Sequence, residues 1–521
     1  MIGQPFIPTA LELRPFAAEL CLIGGIVSIL TLPFFTKRTN AGSGVLALIT
    51  LCVALIVLLW TGGTPHGVAF RGMLLSDSVA VFWKALLFAF TAGIVVMWFC
   101  TTSSQMHDGD APEYFTLLLT ATLGMGLMAS TTNLLMLVIA VEMASLPSYV
   151  LAGFRKTHRL GAEASLKYVL FGAATSSVMI YGLSMLYGMY GTLQVDGVHG
   201  IAAQIASGGG PMPLLVLAMA GLIVGLGFKI SAVPLHFWCP DVFEGASIEI
   251  SAFLSVASKG AALLLLMRLC MTLAGAMGFQ NGQISLSLLA VVLGTMGAIT
   301  ATVGNTAAFT QTNIKRLLAW SSISHAGYML CALSLLVTTN ANLVVNGENR
   351  PVQAILMYLA VYLFMNLGAF LVAGLIYRAT GSEQLHEYAG LGRRNPMLAL
   401  TMTFFMFSLA GIPPFAGFVV KLNLMWRLAA NQGWWWVLVA VIGVNTVFSL
   451  YYYARVVRVM YMEESDKPRL AVNPVGLGLA MACAAMLLAM FVGFSPFNKM
   501  TAAASQIIAQ PSSAPEFVSQ R

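Results

Sequence analysis

Long apolar runs separated by short polar stretches make up most of this chain, and several reach 18 residues or more. A helix of that length crosses a hydrocarbon core of about 30 Å. The pattern predicts helices at approximately 17–35, 43–60, 78–100, 114–130, 133–153, 164–189, 213–236, 246–275, 285–308, 314–338, 352–378, 397–427, 434–458 and 472–495. Pro234 interrupts the seventh of these segments, and Pro413 and Pro414 interrupt the twelfth. Proline has no backbone N–H to give a helix interior. The first run is expected to span the membrane rather than to be a cleaved leader. Glu12, Arg14 and Glu19 flank its start in place of a basic stretch, it is too long for a leader's apolar region, and Lys37 and Arg38 follow it.

Composition sharpens that reading. Hydrophobic residues form 59% of the chain and charged residues only 9%, with a mean hydropathy of +0.85, where a soluble protein carries roughly a quarter charged residues. A water-soluble protein is excluded, and the chain reads as an all-α integral membrane protein of about fourteen transmembrane helices. The net charge of +7 would suggest nucleic acid in a soluble protein. Here its placement points to membrane orientation and no nucleic-acid partner. Loops after odd-numbered helices hold Lys37, Arg38, Arg155, Lys156, Arg159, Lys315, Arg316, Arg378, Arg393, Arg394, Arg455, Arg458, Lys467 and Arg469, whereas loops after even-numbered helices hold Arg71 and Arg350. Basic loops stay on the cytoplasmic side, so both termini are expected to face away from the cytoplasm.

Seven cysteines (Cys21, Cys52, Cys100, Cys239, Cys270, Cys331 and Cys483) are scattered without the short spacing of a zinc or iron–sulfur site. No glycine-rich phosphate loop follows a strand-like segment. The chain is expected to carry no redox centre or nucleotide of its own. It does repeat itself weakly: an offset of 190 pairs Tyr168 with Tyr358, Tyr187 with Tyr377 and Gly191 with Gly381, and brings Lys229 within two residues of Lys421. These segments lie five helices apart, so the two copies would be inverted in the membrane, a recurrent plan of transporters with broken helices.

Ionisable residues inside apolar helices cost about 2.5–3.5 kcal/mol each on insertion scales and persist mostly where they serve a pathway or hold a partner. Glu142 sits in LLMLVIAVEMASLPSYVL, too deep for a short carboxylate to reach the interface. Lys229 precedes Pro234 in FKISAVPLHFWCP, where irregular backbone is tolerated if it is buried in protein or lines a wet cavity. Lys421 follows GIPPFAGFVV, and Lys259 lies among small residues in SVASKGAA, which suits a packed interior. A snorkelling side chain is the plainer reading of Lys229 and Lys421. His325, in SSISHAGYM, can simply bond a neighbouring helix, and Lys167 and His236 lie nearer helix ends, where interfacial roles fit as well as transport.

Buried lysines suit proton carriage. A free lysine, with pKa about 10.4, holds its proton too firmly at neutral pH. Desolvation lowers that value and a nearby carboxylate raises it, so a Lys–Glu pair whose separation changes can load and release a proton. A swing of about 3 units corresponds to roughly 4 kcal/mol. That is enough to move one charge against approximately 180 mV.

The segments FKISAVPLHFWCPDVFEGA, AFLSVASKGAA, NIKRLLAWSSISHAGYML, VEMASLPSYVLAGF and GIPPFAGFVVK together resemble the antiporter-like membrane subunits of respiratory complex I, the NADH–quinone oxidoreductase. The likeness covers about residues 10–495 and is strongest to subunit N. The PDV-F-EGA sequence differs from subunits L and M, a lysine at Lys421 argues against M, and the lack of a long C-terminal lateral helix argues against L. The resemblance implies two inverted five-helix repeats with broken helices 7 and 12. The implied parts are an N-terminal three-helix segment (1–112), a first repeat (113–280, helices 4–8), a second repeat (281–462, helices 9–13) and a C-terminal helix with tail (463–521). It implies that Glu142 pairs with Lys229, that Lys259 connects the halves, and that Lys421 serves the second half-channel. Lys167, His236 and His325 are lesser candidates. NAD, FMN, iron–sulfur clusters and quinone would belong to partner subunits, and the partners would be other membrane-arm subunits in the lipid bilayer of a bacterial inner membrane. The implied activity is proton translocation coupled to NADH:quinone electron transfer. An Mrp-type cation/proton antiporter and a non-pumping membrane scaffold are the rival readings. One departure stands out: after Glu244-Gly245-Ala246 such subunits usually continue Pro-Thr-Pro, whereas this chain reads Ser247-Ile248-Glu249-Ile250.

Overall fold

The computed structural model describes Thr9, His107 and residues 13–35, 39–62, 67–101, 109–155, 159–197, 199–277, 283–337, 344–345, 348–431 and 433–506. Lys37, Arg38 and Lys156 lie outside the described residues. The first long helices are α1 (Ala17–Phe35), α2 (Asn40–Thr61), α3 (Ser78–Thr101), α4 (Ala111–Met128), α5 (Leu134–Ala152), α6 (Arg159–Tyr190) and α7 (Met212–Ile230). A short α8 (Trp238–Gly245) leads into α9 (Ile248–Ala274). There follow α10 (Gln283–Ala308), α11 (Ile314–Leu333), α12 (Arg350–Thr380), α13 (Pro396–Ala410), α14 (Ala416–Ala429), α15 (Trp435–Met462), α16 (Pro474–Val492) and α17 (Phe494–Ala504). Strands are confined to two small antiparallel hairpins, Gly67–Ala69 with Leu74–Ser76 and Val344–Val345 with Glu348–Asn349.

Every predicted segment is helical, with differences at the ends and breaks. Among the described residues, twelve helices are long and apolar enough to cross a membrane. The predicted fourth segment, α4, is not in that set, and the twelfth is divided into α13 and α14. The seventh segment stops at Ile230, short of the expected 236. The short α17 lies in what the sequence reads as tail.

Both interruptions have a local cause. After α7, Ser231 takes the left-handed conformation at φ 63°, uncommon for a residue with a Cβ. Its N–H closes the helix on Phe228 O (3.0 Å), while the Trp238 indole N–H donates to the same carbonyl (3.0 Å). Thr300 Oγ1 on α10 accepts from Val233 N at 2.9 Å, fixing the unwound stretch from the other side. After α13, Gly411 turns the chain at φ 83°, a conformation glycine adopts without steric cost. Here Pro413 and Pro414 can supply no N–H to extend the helix.

The interior is built by α9, α11 and α12, which are buried along nearly their whole lengths. Large apolar residues on α2, α6 and α15, among them Ile56, Trp60, Leu170 and Val447, face outward, as lipid-facing surfaces do. Helices α10 and α11 pack at backbone range. A Cβ on Gly327 would fall 2.4 Å from Ala301 N, so the side chain must be absent there.

Helices α5 and α11 start alike. Asn133 caps α5, accepting from Leu135 N and Met136 N, and Asn313 caps α11, accepting from Lys315 N and Arg316 N. Each asparagine also forms an isolated antiparallel bridge to a glutamine beyond the following long helix, Asn133 to Gln194 and Asn313 to Gln384.

A buried ion pair ties the start of α3 to α9, with a further bond to the end of α4. Arg268 donates to both Asp77 oxygens at 2.8 and 2.9 Å, and to Ala129 O at 2.9 Å. Removing one partner of such a pair strands the other charge, at a cost of about 3–5 kcal/mol. Asp77→Asn is therefore expected to lower the thermal unfolding midpoint of the detergent-solubilised protein markedly. Replacing both residues with leucine is expected to recover most of that loss, since apolar packing often matches a buried pair. Equal midpoints for Asp77→Asn and the unmodified protein would show that the pair holds nothing together.

Candidate functional site

Polar side chains inside this apolar body lie on one line through the core. It begins on α5 at Glu142, whose Oε1 is buried without a hydrogen bond. Two helical turns further on, Tyr149 presents its ring to Lys229 Nζ, 5.6 Å from the ring centroid, while its hydroxyl lies within reach of the Glu142 charge. Lys229 closes the last turn of α7, at the break. It is only 2% exposed, and its Nζ makes no hydrogen bond. Its other near neighbour is the Tyr168 ring at 5.9 Å. The Glu142–Lys229 pair implied by the resemblance makes no direct contact, although the Glu142 charge acts on Lys229 and Tyr149 adjoins both.

Beyond the break the line continues on α9. A π-helical turn, Leu254–Ser258, immediately precedes Lys259. Such turns are rare and concentrate at functional sites. Ser258 Oγ and the Tyr168 hydroxyl are both buried without a hydrogen bond, so Tyr168 and Ser258 fill the space between Lys229 and Lys259 with unused polar capacity. Lys259 Nζ donates to Ser322 Oγ at 2.5 Å and to Cys239 Sγ at 3.5 Å, and lies over the Phe243 ring.

Helix α11 carries the line onward. His325 Nδ1 meets the Tyr358 hydroxyl at 2.6 Å, and Nε2 lies 3.4 Å from the Tyr453 hydroxyl. Tyr453 in turn bonds Ser321. Tyr328, one turn from His325, presents its ring to Lys421 Nζ at 5.3 Å and accepts from Asn305 Nδ2 at 2.9 Å. Lys421 ends the line. Its ammonium donates to Leu409 O (2.8 Å) and Ala410 O (2.9 Å), the open carbonyls at the end of α13. That contact joins favourable charge–dipole interaction to satisfaction of backbone groups at membrane depth.

The structure thus brings Glu142, Lys229, Lys259, His325 and Lys421 into one array. His236, in the unwound stretch, is buried beside the Trp320 ring at 5.5 Å with Nδ1 unbonded, adjoining the array on the Lys259 side. Lys167 stands apart. It is more than a third exposed and paired with Glu163 (2.8 Å) and Asp241 (2.7 Å), and Asp241 also holds Arg316 at 3.0 Å. This is an ion-pair cluster at the edge of the protein.

Sequence reasoning missed several buried charges. Lys84 forms an ion pair with Glu19, and both are buried. Lys84 sits in SVAVFWKALLF, and the criterion that selected Lys229, a charge inside an apolar run, would have found it. The same holds for Arg268 in KGAALLLLMRLCM. Lys315, read only as a loop charge, is buried and pairs with Glu383 at 2.6 Å. The tyrosines that link the lysines give no signal in sequence, because aromatic residues are ordinary in membrane helices. Among the described residues, no group of three His, Cys, Asp or Glu side chains could hold a metal ion.

A row of buried amines, phenols, hydroxyls and one imidazole, broken by unbonded polar atoms, is suited to passing protons and offers no fixed cage for a larger ligand. Comparison with known proteins bears on its origin. Residues 131–449 match the family described as NADH:quinone oxidoreductase/Mrp antiporter, TM. NADH-quinone oxidoreductase subunit N of Anaeromyxobacter sp. (strain Fw109-5) is 38% identical, the match covering 96% of this chain and 97% of that one. A chain in a structure of respiratory complex I from Thermus thermophilus superposes with a TM-score of 0.75 at 31% identity, over 93% of this chain and 99% of that chain. A chain of the Mrp complex from Dietzia sp. DQ12-45-1b shares the fold alone, with a TM-score of 0.77 at 19% identity over 95% and 97% of the two chains. The chain therefore belongs to the NADH:quinone oxidoreductase/Mrp antiporter family of membrane proteins, in its subunit N branch.

Proposed function

We propose that this chain is a proton-translocating membrane-arm subunit of a NADH–quinone oxidoreductase in a bacterial inner membrane. It works beside other membrane-arm subunits, while NADH oxidation, flavin, iron–sulfur clusters and quinone reduction belong to partner chains. The observation that carries this reading is the buried line of polar side chains from Glu142 through Lys229, Lys259 and His325 to Lys421, with a helix break beside Lys229 and another beside Lys421. In this reading the chain spans the bilayer fourteen times. Segments 4–8 (113–280) and 9–13 (281–462) form two inverted repeats, after an N-terminal three-helix segment (1–112) and before a C-terminal part (463–521). The matched asparagine caps and Asn–Gln bridges support the repeats: basic loops put Asn313 on the cytoplasmic side and Asn133 on the other.

The chemistry follows from the spacing. Charge movement in a redox-active partner changes the separation of Glu142 and Lys229 across Tyr149. A closer carboxylate favours the ammonium and a more distant one releases its proton. Tyr168 and Ser258, with free hydrogen-bonding capacity, relay that proton towards Lys259. Ser322, the Tyr358–His325–Tyr453 set and Tyr328 lead on to Lys421 and the exit side. Lys167 stabilises the cytoplasmic edge with Asp241, and His236 lies beside the relay and lends it a second imidazole.

The test is NADH-driven proton uptake by inverted membrane vesicles. Lys229→Ala is expected to leave the complex assembled and to lower uptake about tenfold or more, the scale of losing a positioned proton carrier. Normal uptake would remove Lys229 from the mechanism. Loss of assembly in Lys229→Ala and in the milder Lys229→Met would favour a scaffold role, and ion-gradient-driven transport without NADH would favour an antiporter.

Lys421 gives a second, separable expectation. Lys421→Arg keeps a donor for the Leu409 and Ala410 carbonyls but a guanidinium does not deprotonate in proteins. It should therefore preserve thermal stability while lowering proton uptake about tenfold. Full uptake in Lys421→Arg would confine this residue to capping the break.

A further inference from the structure

Glu249 has no counterpart among the groups described above, yet it is the most deeply enclosed carboxylate at the cytoplasmic end of the interior helices, with no solvent exposure. It occupies the first turn of α9, the helix that carries Lys259 ten residues later. The Tyr114 hydroxyl donates to its Oε1 at 3.4 Å, the Lys315 charge lies within reach, and Arg155 acts on both Tyr114 and Lys315. Lys315 connects this pocket to the surface, because it also pairs with Glu383, a carboxylate that remains 19% exposed. A buried carboxylate thus stands one step in from a partly wetted rim, on the side marked by basic loops.

Glu249 and Lys259 lie about 15 Å apart along the helix, and two polar groups stand at the Lys259 end of that distance. Helix α12 runs alongside, with Gly374 packed on Ile248 at the Glu249 end. Eight residues back along α12, about 12 Å towards the membrane centre, Asn366 is fully buried with an unbonded Oδ1. One turn further, the Tyr362 hydroxyl is buried and also unbonded. It lies close to both Asn366 and Ser322 but in hydrogen-bond geometry with neither. Ser322 is the side chain that accepts from Lys259. Buried polar atoms take their partners from protein or from water, and a pair of unbonded oxygens at this depth suits bridging water.

We propose that Glu249 is the cytoplasmic proton-loading carboxylate of this chain, feeding Lys259 along a hydrated column past Asn366 and Tyr362. The Glu249 carboxylate takes a proton from water at the Glu383–Lys315 rim and becomes the neutral acid, leaving hydroxide to the bulk. It then gives that proton through the column to the neutral amine of Lys259, which becomes the ammonium while the carboxylate is restored. Tyr114 and Lys315 keep the carboxylate in place for the next cycle. The inference rests on the proton-translocating reading, and it adds an entry point on α9 independent of the Glu142–Lys229 pair.

The experiment uses inverted vesicles containing the whole complex, with assembly checked on native gels. Proton uptake driven by NADH is measured in ordinary and heavy water. Glu249→Gln keeps the size of the side chain and its bond to Tyr114 but cannot carry a proton. It is expected to lower uptake about tenfold and to raise the solvent isotope effect, which a merely structural role would leave alone. Glu249→Asp is expected to restore much of the rate. Assembled Glu249→Gln with ordinary uptake and an unchanged isotope effect would overturn the proposal. Lys259→Ala on the same vesicles separates the two claims. Should it also pump normally, the proton-translocating reading itself fails, and Glu249 with it. Where Glu249→Gln does not assemble, Asn366→Leu decides. It dries the column without touching the carboxylate, so slowed uptake with a raised isotope effect supports the route and ordinary uptake overturns it.

Discussion

A helix that stops inside hydrocarbon exposes carbonyls that water cannot reach, and each unsatisfied group there costs several kcal/mol. Lys421 resolves this for α13 by donating to Leu409 and Ala410. The end of α7 is resolved differently, by the Trp238 indole on Phe228 and by Thr300 on the unwound strand. Because protein groups rather than water hold both breaks, irregular backbone survives at mid-depth. That irregular backbone places Lys229 and Lys421 where regular helices could not. The whole buried line depends on these terminations.

The two breaks use their lysines in opposite ways. Lys421 is engaged with two backbone carbonyls, which hold its amine at the break. Lys229 has aromatic faces instead of hydrogen bonds, Tyr149 on one side and Tyr168 on the other. Attraction of a cation to an aromatic face is modest, about 0.5–2 kcal/mol, and leaves the amine free to answer to Glu142. The second lysine is anchored and the first is responsive. An assembly that drives the line from one end and stores charge at the other would have this asymmetry.

Apolar run length made the helices legible, since the bilayer imposes one length on every span. Prolines marked both interruptions, but the stopping points were set by neighbours: Trp238 and Thr300 end α7 at Ile230, well before Pro234. Glu142, Lys229, Lys259 and Lys421 were legible because each charge interrupts an apolar run. Lys84 and Arg268 meet the same test, and Glu19 and Asp77 could not be matched to them because their partners lie far off in sequence. The tyrosine links stayed hidden, for a phenol in a membrane helix serves packing as readily as proton transfer. The proposed repeat rests on an offset of 190 through Tyr168 and Tyr358. The Thr-Asn starts at Asn133 and Asn313 differ by 180, and a single offset could not capture both.

Charge balance constrains how the line can operate. It holds three amines, Lys229, Lys259 and Lys421, with Glu142 as the carboxylate at one end. In bulk water, unit charges 4 Å apart interact by about 1 kcal/mol, and near a protein surface by about 4 kcal/mol. Drier surroundings strengthen repulsion between like charges and penalise each isolated ion. All three ammonium groups therefore cannot be charged together without further anions. A proton arriving at Lys259 from Glu249 raises the cost of a charge on Lys421 through the intervening His325 set, and favours its release. In the proposed reading, this coupling converts loading at one position into discharge at the next.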